Sequence, residues 1–292
     1  MYKMAFKKIQ EYIGTGSGSP GTLLIPKLIM PELIDAVQKA LIPREMAAKV
    51  WGPESIQGSS FSVNLETPNT LNVRIVGEGA ELPLDAMDFS SVTFTPVKYG
   101  VAVRITKEMM EDAQFDIFQR NLRTAGIRFA ENETKLILGA LDGANSTVAG
   151  GAAITIANIT EAMFNIEGAN ADFKATDFLI GKEVLNDLRN IDTFVEANKA
   201  GNTDMLSRGF IGTLYGMNVA TFSSSSTVVP AAANAKYGYV FDRSQAYGIA
   251  IKRDITVEGF MLPSFDMEGA AITQRLDVKL LRSTAVSRIT TS

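Results

Sequence analysis

Residues 106–141 read TKEMMEDAQFDIFQRNLRTAGIRFAENETKLILGAL, and the fold turns on how this stretch is understood. Phe118, Leu122, Ala125, Phe129, Leu136 and Ala140 recur mostly three or four residues apart, the spacing that aligns side chains along one side of a helix. Arg120, Arg123, Arg128, Glu131, Glu133 and Lys135 fall between them and are expected to point away from the stripe, so the helix should lie on a surface rather than inside a core. Thr106, followed by Lys107, Glu108 and Met109, is the expected N-cap. Gly143, just past the last periodic residue, is the expected terminator, and residues 112–116 are a candidate kink. The part from Ile117 to Leu141 alone would extend about 37 Å at about 1.5 Å per residue, more than an ordinary domain core spans.

Composition sets the limits around this rod. A chain of 292 residues, 46% hydrophobic, can bury a substantial core, and its length suggests two lobes. It contains no cysteine and no histidine. That removes disulfides, thiolate nucleophiles, zinc fingers, the usual catalytic triads and the commonest metal ligand together, so no catalytic, cofactor-binding or metal residue is assigned. A net charge of -4 argues against a generic nucleic-acid binder, whose affinity comes from a basic surface that displaces counterions. No apolar run approaches the roughly 20 residues needed to span a bilayer, so no membrane partner is expected. The start, MYKMAFKKIQEYIG, has Lys3, Lys7 and Lys8 but no apolar block after them and does not read as a secretory signal. Phe6, Ile9 and Ile13 fit one side of a short amphipathic helix; a frayed terminus fits equally well.

In chain order, GTGSGSPG at 14–21 lacks the preceding strand, the Gly-Lys-Ser or Gly-Lys-Thr ending and the following helix of a phosphate loop, and reads as a hinge. Pro31 then suits a first helical position, with Leu33, Ile34, Val37 and Leu41 at helical spacing and a helix end near Pro43. Phe61, Val63 and Leu65 alternate with polar residues, 67–70 supply a turn, and Leu71, Val73 and Ile75 alternate again, which reads as a long hairpin. GEGAELPLDAMDF (77–89) breaks the strand before Val92 and Phe94 resume alternation toward Val101, Val103 and Ile105. A two-stranded ribbon is marginal alone in water, so it must lie on its own chain or on a neighbouring copy. Trp51, the single tryptophan, reads as a packing anchor.

Glu78 and Glu81, with Asp85 and Asp88 nearby, are the obvious paired carboxylates, yet they sit in a Gly- and Pro-rich loop without aromatic residues for a sugar platform close by; solvated or interface-facing acids are the simpler reading. Past the long helix, DGANSTVAGGAA (142–153) is the candidate lobe boundary. Beyond it are expected a helix from Thr160 (Ala162, Met163, Ile166), a buried strand at 176–180, a helix through Val184, Leu185 and Leu188, a polar segment to Phe210, a turn and strand in 212–222, a surface loop at 223–235, two strands in 237–260 and one or two more in 271–289.

This order is similar to that of the major capsid proteins of tailed bacteriophages, the Hong Kong 97-type fold. DFLIGKEVLNDLRNI (177–191) resembles the family's strand followed by a helix opening on a polar turn. GTLYGMNVATF (212–222) resembles its glycine followed by a buried valine strand, and YGYVFDRSQAYGIAIKRDITVE (237–258) its glycine, aspartate, aromatic and arginine ahead of an alternating strand. Each motif is weakly specific; the series spans nearly the whole chain.

The resemblance implies an α+β chain divided as follows: 1–22 an N-terminal arm, 23–50 the entry helix of a peripheral domain, 51–95 an extended β-hairpin loop reaching over a neighbour, 96–149 the peripheral domain with its long spine helix, 150–260 an axial α/β domain, and 261–292 strands returning to the peripheral domain. It implies a homo-oligomeric icosahedral shell of pentamers and hexamers in a virion, assembled in the host cytoplasm. The shell would enclose double-stranded DNA without sequence-specific binding, alongside a portal and scaffolding or decoration proteins. Candidate subunit-interface residues are Arg74, Glu78, Glu81, Asp85, Arg120, Arg123, Arg128, Phe6 and Ile9. Only the arm, with Lys3, Lys7 and Lys8 against Glu11, is locally basic enough to suggest DNA contact.

Two departures carry consequences. Some members weld subunits through an isopeptide bond between a loop lysine and an asparagine near the C-terminus, helped by a glutamate. Here no lysine occurs between Lys49 and Lys98 and no asparagine follows Asn234, so a noncovalent shell is expected. The chain opens on Met1 without a long charged helical extension, so scaffolding is expected from a separate protein or not at all. Two other readings stand beside the phage shell: an encapsulin-like nanocompartment, and a hydrolase using Glu78 and Glu81 or Asp192 and Glu196.

Overall fold

The computed structural model describes residues 42–67, 73–79, 81, 84–106, 108–109, 117–151, 153–168, 173–191, 210–222 and 236–291. The arm, the 14–21 hinge, most of the entry helix, the 112–116 kink and the 223–235 loop lie outside these residues. A helical turn, Ile42–Glu45, runs through Pro43 instead of ending there. After it come β1 (Lys49–Trp51), β2 (Phe61–Glu66), β3 (Phe89–Phe94), β4 (Val97–Thr106) and the long helix α1 (Ile117–Leu141). Then follow β5 (Ser146–Ala149), α2 (Ile156–Glu167), β6 (Asp177–Ile180), α3 (Lys182–Arg189), β7 (Phe210–Leu214), β8 (Met217–Thr221), β9 (Lys236–Phe241), β10 (Tyr247–Leu262), β11 (Met267–Leu280) and β12 (Val286–Thr291).

These strands make a four-stranded sheet in the order β1-β10-β11-β4, a six-stranded sheet in the order β5-β12-β9-β6-β8-β7, and the two-stranded ribbon β2-β3. The ribbon is not the hairpin expected from alternation. Phe61 faces Phe94 and Glu66 faces Phe89, so β2 pairs with β3 across a long connection, and Val73 and Ile75 belong to no strand. Period-two alternation marks strands but does not say which two pair.

The six-stranded sheet carries the deepest core. All four residues of β6 are buried between β8, parallel to it, and β9, antiparallel. Ile159, Ala162 and Ile166 of α2 and Val184 and Leu188 of α3 pack on Phe178, Val219, Val240 and Ile289. Helix α2 begins four residues before Thr160, because Thr155 and Asn158 form a reciprocal capping box there. Gly216 at φ 83 and Tyr215 at φ 49 make the tight β7–β8 turn, where left-handed backbone matches strand twist.

Strand pairing also cuts across the expected boundaries. β5 lies inside the 142–153 stretch and pairs with β12, so that stretch is structured rather than a linker. β12, in the 261–292 segment, pairs with β5 and β9 of the six-stranded sheet, whereas β10, almost wholly in the 150–260 segment, pairs with β1 and β11 of the four-stranded one. Sheet partnership is a long-range property that chain order does not encode.

Helix α1 touches both sheets. Leu122, Ala125 and Phe129 pack on Ala270 and Ile272 of β11, while Ile137, Leu138 and Leu141 sit among Leu179, Tyr239 and Phe241 of one sheet and Ile249, Leu276 and Val278 of the other. Leu136 and Ala140, expected on the buried stripe, are only partly buried. Met109 donates its N–H to the Thr106 hydroxyl (3.3 Å), the cap the sequence suggested. Gly143 has no left-handed φ; a Cβ there would crowd the Ala140 carbonyl at 3.2 Å, so closeness to the last helical turn explains the glycine.

The two faces of the four-stranded sheet are used differently. On β11, Ala270, Ile272, Gln274, Leu276 and Val278 are buried in strict alternation, and with Ile249 and Ile251 of β10 they form the face under α1. Ala250, between Ile249 and Ile251, turns to the opposite face and joins Trp51 and Phe94 at the foot of the ribbon. Helix and ribbon therefore lie on opposite sides of one sheet.

Candidate functional site

The foot of the ribbon is an aromatic trio. Trp51, on β1, lies 5.6 Å from Phe61 and 5.1 Å from Phe94 between ring centroids, and the two phenylalanines stack at 5.2 Å. Such pairs add about 0.5–1.5 kcal/mol each beyond their area burial. Gly248 makes the seat possible, since a Cβ there would overlap the Trp51 ring. Thr95 donates its N–H to Asp277 (2.8 Å) and Lys252 donates to the Gly58 carbonyl, so the foot is tied to β11 and β10; at the other end of β2, Arg282, from the segment after β11, donates to the Glu66 carbonyl (2.6 Å).

The described part of the connection between β2 and β3 is bare. Val73, Ile75 and Leu84 are 105%, 104% and 94% exposed, and Met87 and Phe89 are also exposed. Leaving such side chains in water forgoes about 1.5–3 kcal/mol each, and monomeric proteins seldom gather several in one segment. Arg74 and Asp85 pair at 3.2 Å across the connection, while Glu78 and Glu81 are exposed. Both of these acids sit in water, without the apolar enclosure that makes a catalytic acid. Arg120, Arg123 and Arg128 are exposed on α1, the last paired to Glu131 at 2.7 Å. Phe6, Ile9, Asp192 and Glu196 lie outside the described residues. Among the described residues, no cluster of three or more acids could hold a metal ion and no helix is long and apolar enough to cross a membrane.

Glu133 corrects the sequence reading. Expected to face solvent, it is 1% exposed and turned into the sheet. Arg44, from the helical turn ahead of β1, pairs with it at 3.1 Å and reaches toward Asp254 at 3.8 Å; Gln274 of β11 donates to its other oxygen at 3.4 Å. Burial pushes the Glu133 carboxyl above the usual carboxylate range, Arg44 and Gln274 pull it back, and Asp254 raises it further. The cluster sits where the β10–β11 register shifts between Ile251 and Thr256, and between the two apolar groups that α1 buries. One sign of it was present in the sequence: Gln274 is the polar residue in the otherwise apolar row Ile272, Leu276, Val278.

A second buried network holds the β9–β10 turn. Asp242 accepts from the N–H groups of Lys174 (3.1 Å) and Ser244 (2.8 Å) and from the Ser244 hydroxyl (2.7 Å). This turn passes the chain from the six-stranded sheet to the four-stranded one, which gives a structural reason for the aspartate in YGYVFDRSQAYG.

A profile of the phage capsid family matches residues 21–290. No curated protein matches the chain. Among solved structures, a chain from Mycobacterium phage Che8 superposes with a TM-score of 0.62 at 16% identity, covering 80% of this chain and 85% of that one. The capsid of a native GTA particle gives 0.64 at 16% identity over 87% and 90%, and a virus-like particle from Pyrococcus furiosus 0.59 at 12% over 91% and 99%. At such identities these likenesses speak for the fold, while the profile spans nearly all of the chain. The exposed ribbon, the long helix and the two sheets are those of a Hong Kong 97-type subunit, and the chain belongs to the phage capsid family.

Proposed function

We propose that this protein is the major capsid protein of a tailed phage and builds an icosahedral, noncovalently held shell of pentamers and hexamers around double-stranded DNA. The observation that carries this is the ribbon: its foot is fixed by an aromatic cluster, yet Val73, Ile75 and Leu84 stand exposed, without cover among the described residues. Neighbouring copies supply the missing burial, so ribbon ordering and shell closure become one cooperative event. The four-stranded sheet with α1 and the ribbon corresponds to the peripheral domain, and the six-stranded sheet with α2 and α3 to the axial domain. Glu78, Glu81, Asp85 and Arg74 then serve as contact residues on the ribbon.

Electron microscopy of the purified protein tests this reading, with closed shells as the expected outcome. Denaturing electrophoresis of those shells after heating should give monomers, because the lysine and asparagine of the covalent weld are missing. A solitary folded monomer at high concentration would end the proposal; a ladder of covalent oligomers would end its noncovalent part.

A further inference from the structure

The ribbon meets the body of its own chain near both ends of β2. At the foot, Phe61 and Phe94 sit against Trp51. At the other end, where the connection to β3 begins, the Arg282 guanidinium donates to the Glu66 main-chain carbonyl (2.6 Å) and lies over the ring of Phe173, 5.9 Å from its centroid. The two places are five steps of extended chain apart, about 17 Å at about 3.4 Å per residue. Phe173 is buried in the core of the six-stranded sheet, and the next residue, Lys174, donates its N–H to Asp242 (3.1 Å). The main chain around Arg282 is also anchored: Leu281 and Arg282 donate their N–H groups to the Ala246 carbonyl (2.8 and 3.4 Å), and the Ser283 carbonyl accepts from Asn145 (3.0 Å). One side chain therefore ties the outer end of the ribbon to the six-stranded sheet.

We propose that Arg282 is a positioning residue for assembly: it holds the ribbon at one angle to the six-stranded sheet, so that the exposed connection reaches a neighbouring copy already in the pose that the copy covers. The inference rests on the shell reading given above and adds what sets the ribbon's direction inside the single subunit. A rod attached at one point swings about it, whereas two separated attachments fix its direction. Arginine suits the second attachment, because its planar fork offers an N–H to the carbonyl and a face to the ring at once, which an ammonium on a flexible stem does not. The Arg282 Nε is buried without a hydrogen-bond partner, so these two contacts set where the guanidinium sits. The acceptor is main chain, so the hold does not depend on the carboxylate at position 66. When only a fraction of subunits hold the competent pose, apparent affinity for the next subunit falls by that fraction.

The chain has no cysteine, so Met87→Cys on the connection and Glu183→Cys on α3, both exposed positions, carry nitroxide labels at two defined points. Double electron–electron resonance on full-length unassembled subunits then reads the spread of distances between ribbon and six-stranded sheet. Arg282→Gln should widen that spread about twofold and, in protein without the added cysteines, raise the assembly threshold in light scattering about tenfold if about one subunit in ten keeps the competent pose. Glu66→Gln should change neither. Should Arg282→Gln fail to fold, Arg282→Lys replaces it: the charge stays but the planar fork is lost, and the spread should still widen by about half. A wild-type spread in the folded Arg282 variant overturns the proposal, whatever its threshold, because a raised threshold at unchanged geometry makes Arg282 itself a contact between copies. A wider spread with an unchanged threshold overturns it too, since direction then does not matter to assembly. Wild-type protein that forms no shells ends the capsid reading instead, an outcome seen without any variant.

Discussion

Strand β6 and the ribbon connection are opposite solutions to the same problem. Asp177, Phe178, Leu179 and Ile180 are all buried, flanked by two strands and covered by helices of the same chain. Val73, Ile75 and Leu84 are as apolar as their counterparts in β6 yet stand in water. The difference shows that hydrophobic content does not state where burial will come from. One region completes its core within the protomer; the other, on the proposed reading, is left for neighbours, so the first would govern folding and the second assembly.

The strongest way to break this contrast is to damage the closed core. Phe178→Ala removes a fully buried ring and should cost about 3–5 kcal/mol, read as a lower denaturant midpoint in unassembled subunits. Between the two regions lies the buried ion pair. Glu133→Ala strands Arg44 and should cost about 3 kcal/mol, whereas Glu133→Gln, keeping a partner for Gln274, should cost less. The same residue gives a pH signature. Because its folded-state pKa lies above the unfolded value, its contribution is fully present below the unfolded pKa and fades as pH rises through the folded one. Wild type should therefore gain stability relative to Glu133→Gln as pH falls through that window. Thermal melts of both proteins across mildly acidic pH check the sign, and an opposite trend would place the carboxylate in a more favourable site than burial allows.

The ribbon should behave the other way round. Ile75→Asp should change the unassembled subunit by no more than about 0.5 kcal/mol, since the side chain is already exposed. In the shell it removes roughly 1.5–3 kcal/mol of burial per subunit, which raises the assembly threshold at least about tenfold in a light-scattering titration. A large loss of subunit stability with assembly unchanged would refute the division of labour. Smallest of all, Arg128→Ala deletes an exposed pair with Glu131 and should cost only a few tenths of a kcal/mol, below what most melts resolve.

Much of this architecture was readable along the chain because helix and strand periods are local. The long helix, the buried strand at 177–180, α3 and the paired strands after residue 236 all follow from spacing and turn residues. The partner of β2 did not, nor did the sheet that receives β12, because pairing depends on contacts between residues far apart in sequence. Glu133 was misplaced for a related reason. A helix-face argument assumes one buried side, but α1 meets a sheet along one end and is wedged between two sheets at the other, so burial spreads around it. Glu78, Glu81 and Asp88 were expected in a solvated loop, and they are exposed there.

What the residues alone determined is chemical exclusion and local form: without histidine or cysteine the chain has no imidazole or thiolate chemistry, and its apolar periods write out a long helix, alternating strands and a mixed lobe. What only the tertiary structure decided is which surfaces are finished and which are open. Burial is a sum over contacts from the entire chain, so whether Ile75 or Ile180 ends in water is invisible in its immediate sequence and plain once the sheets are assembled.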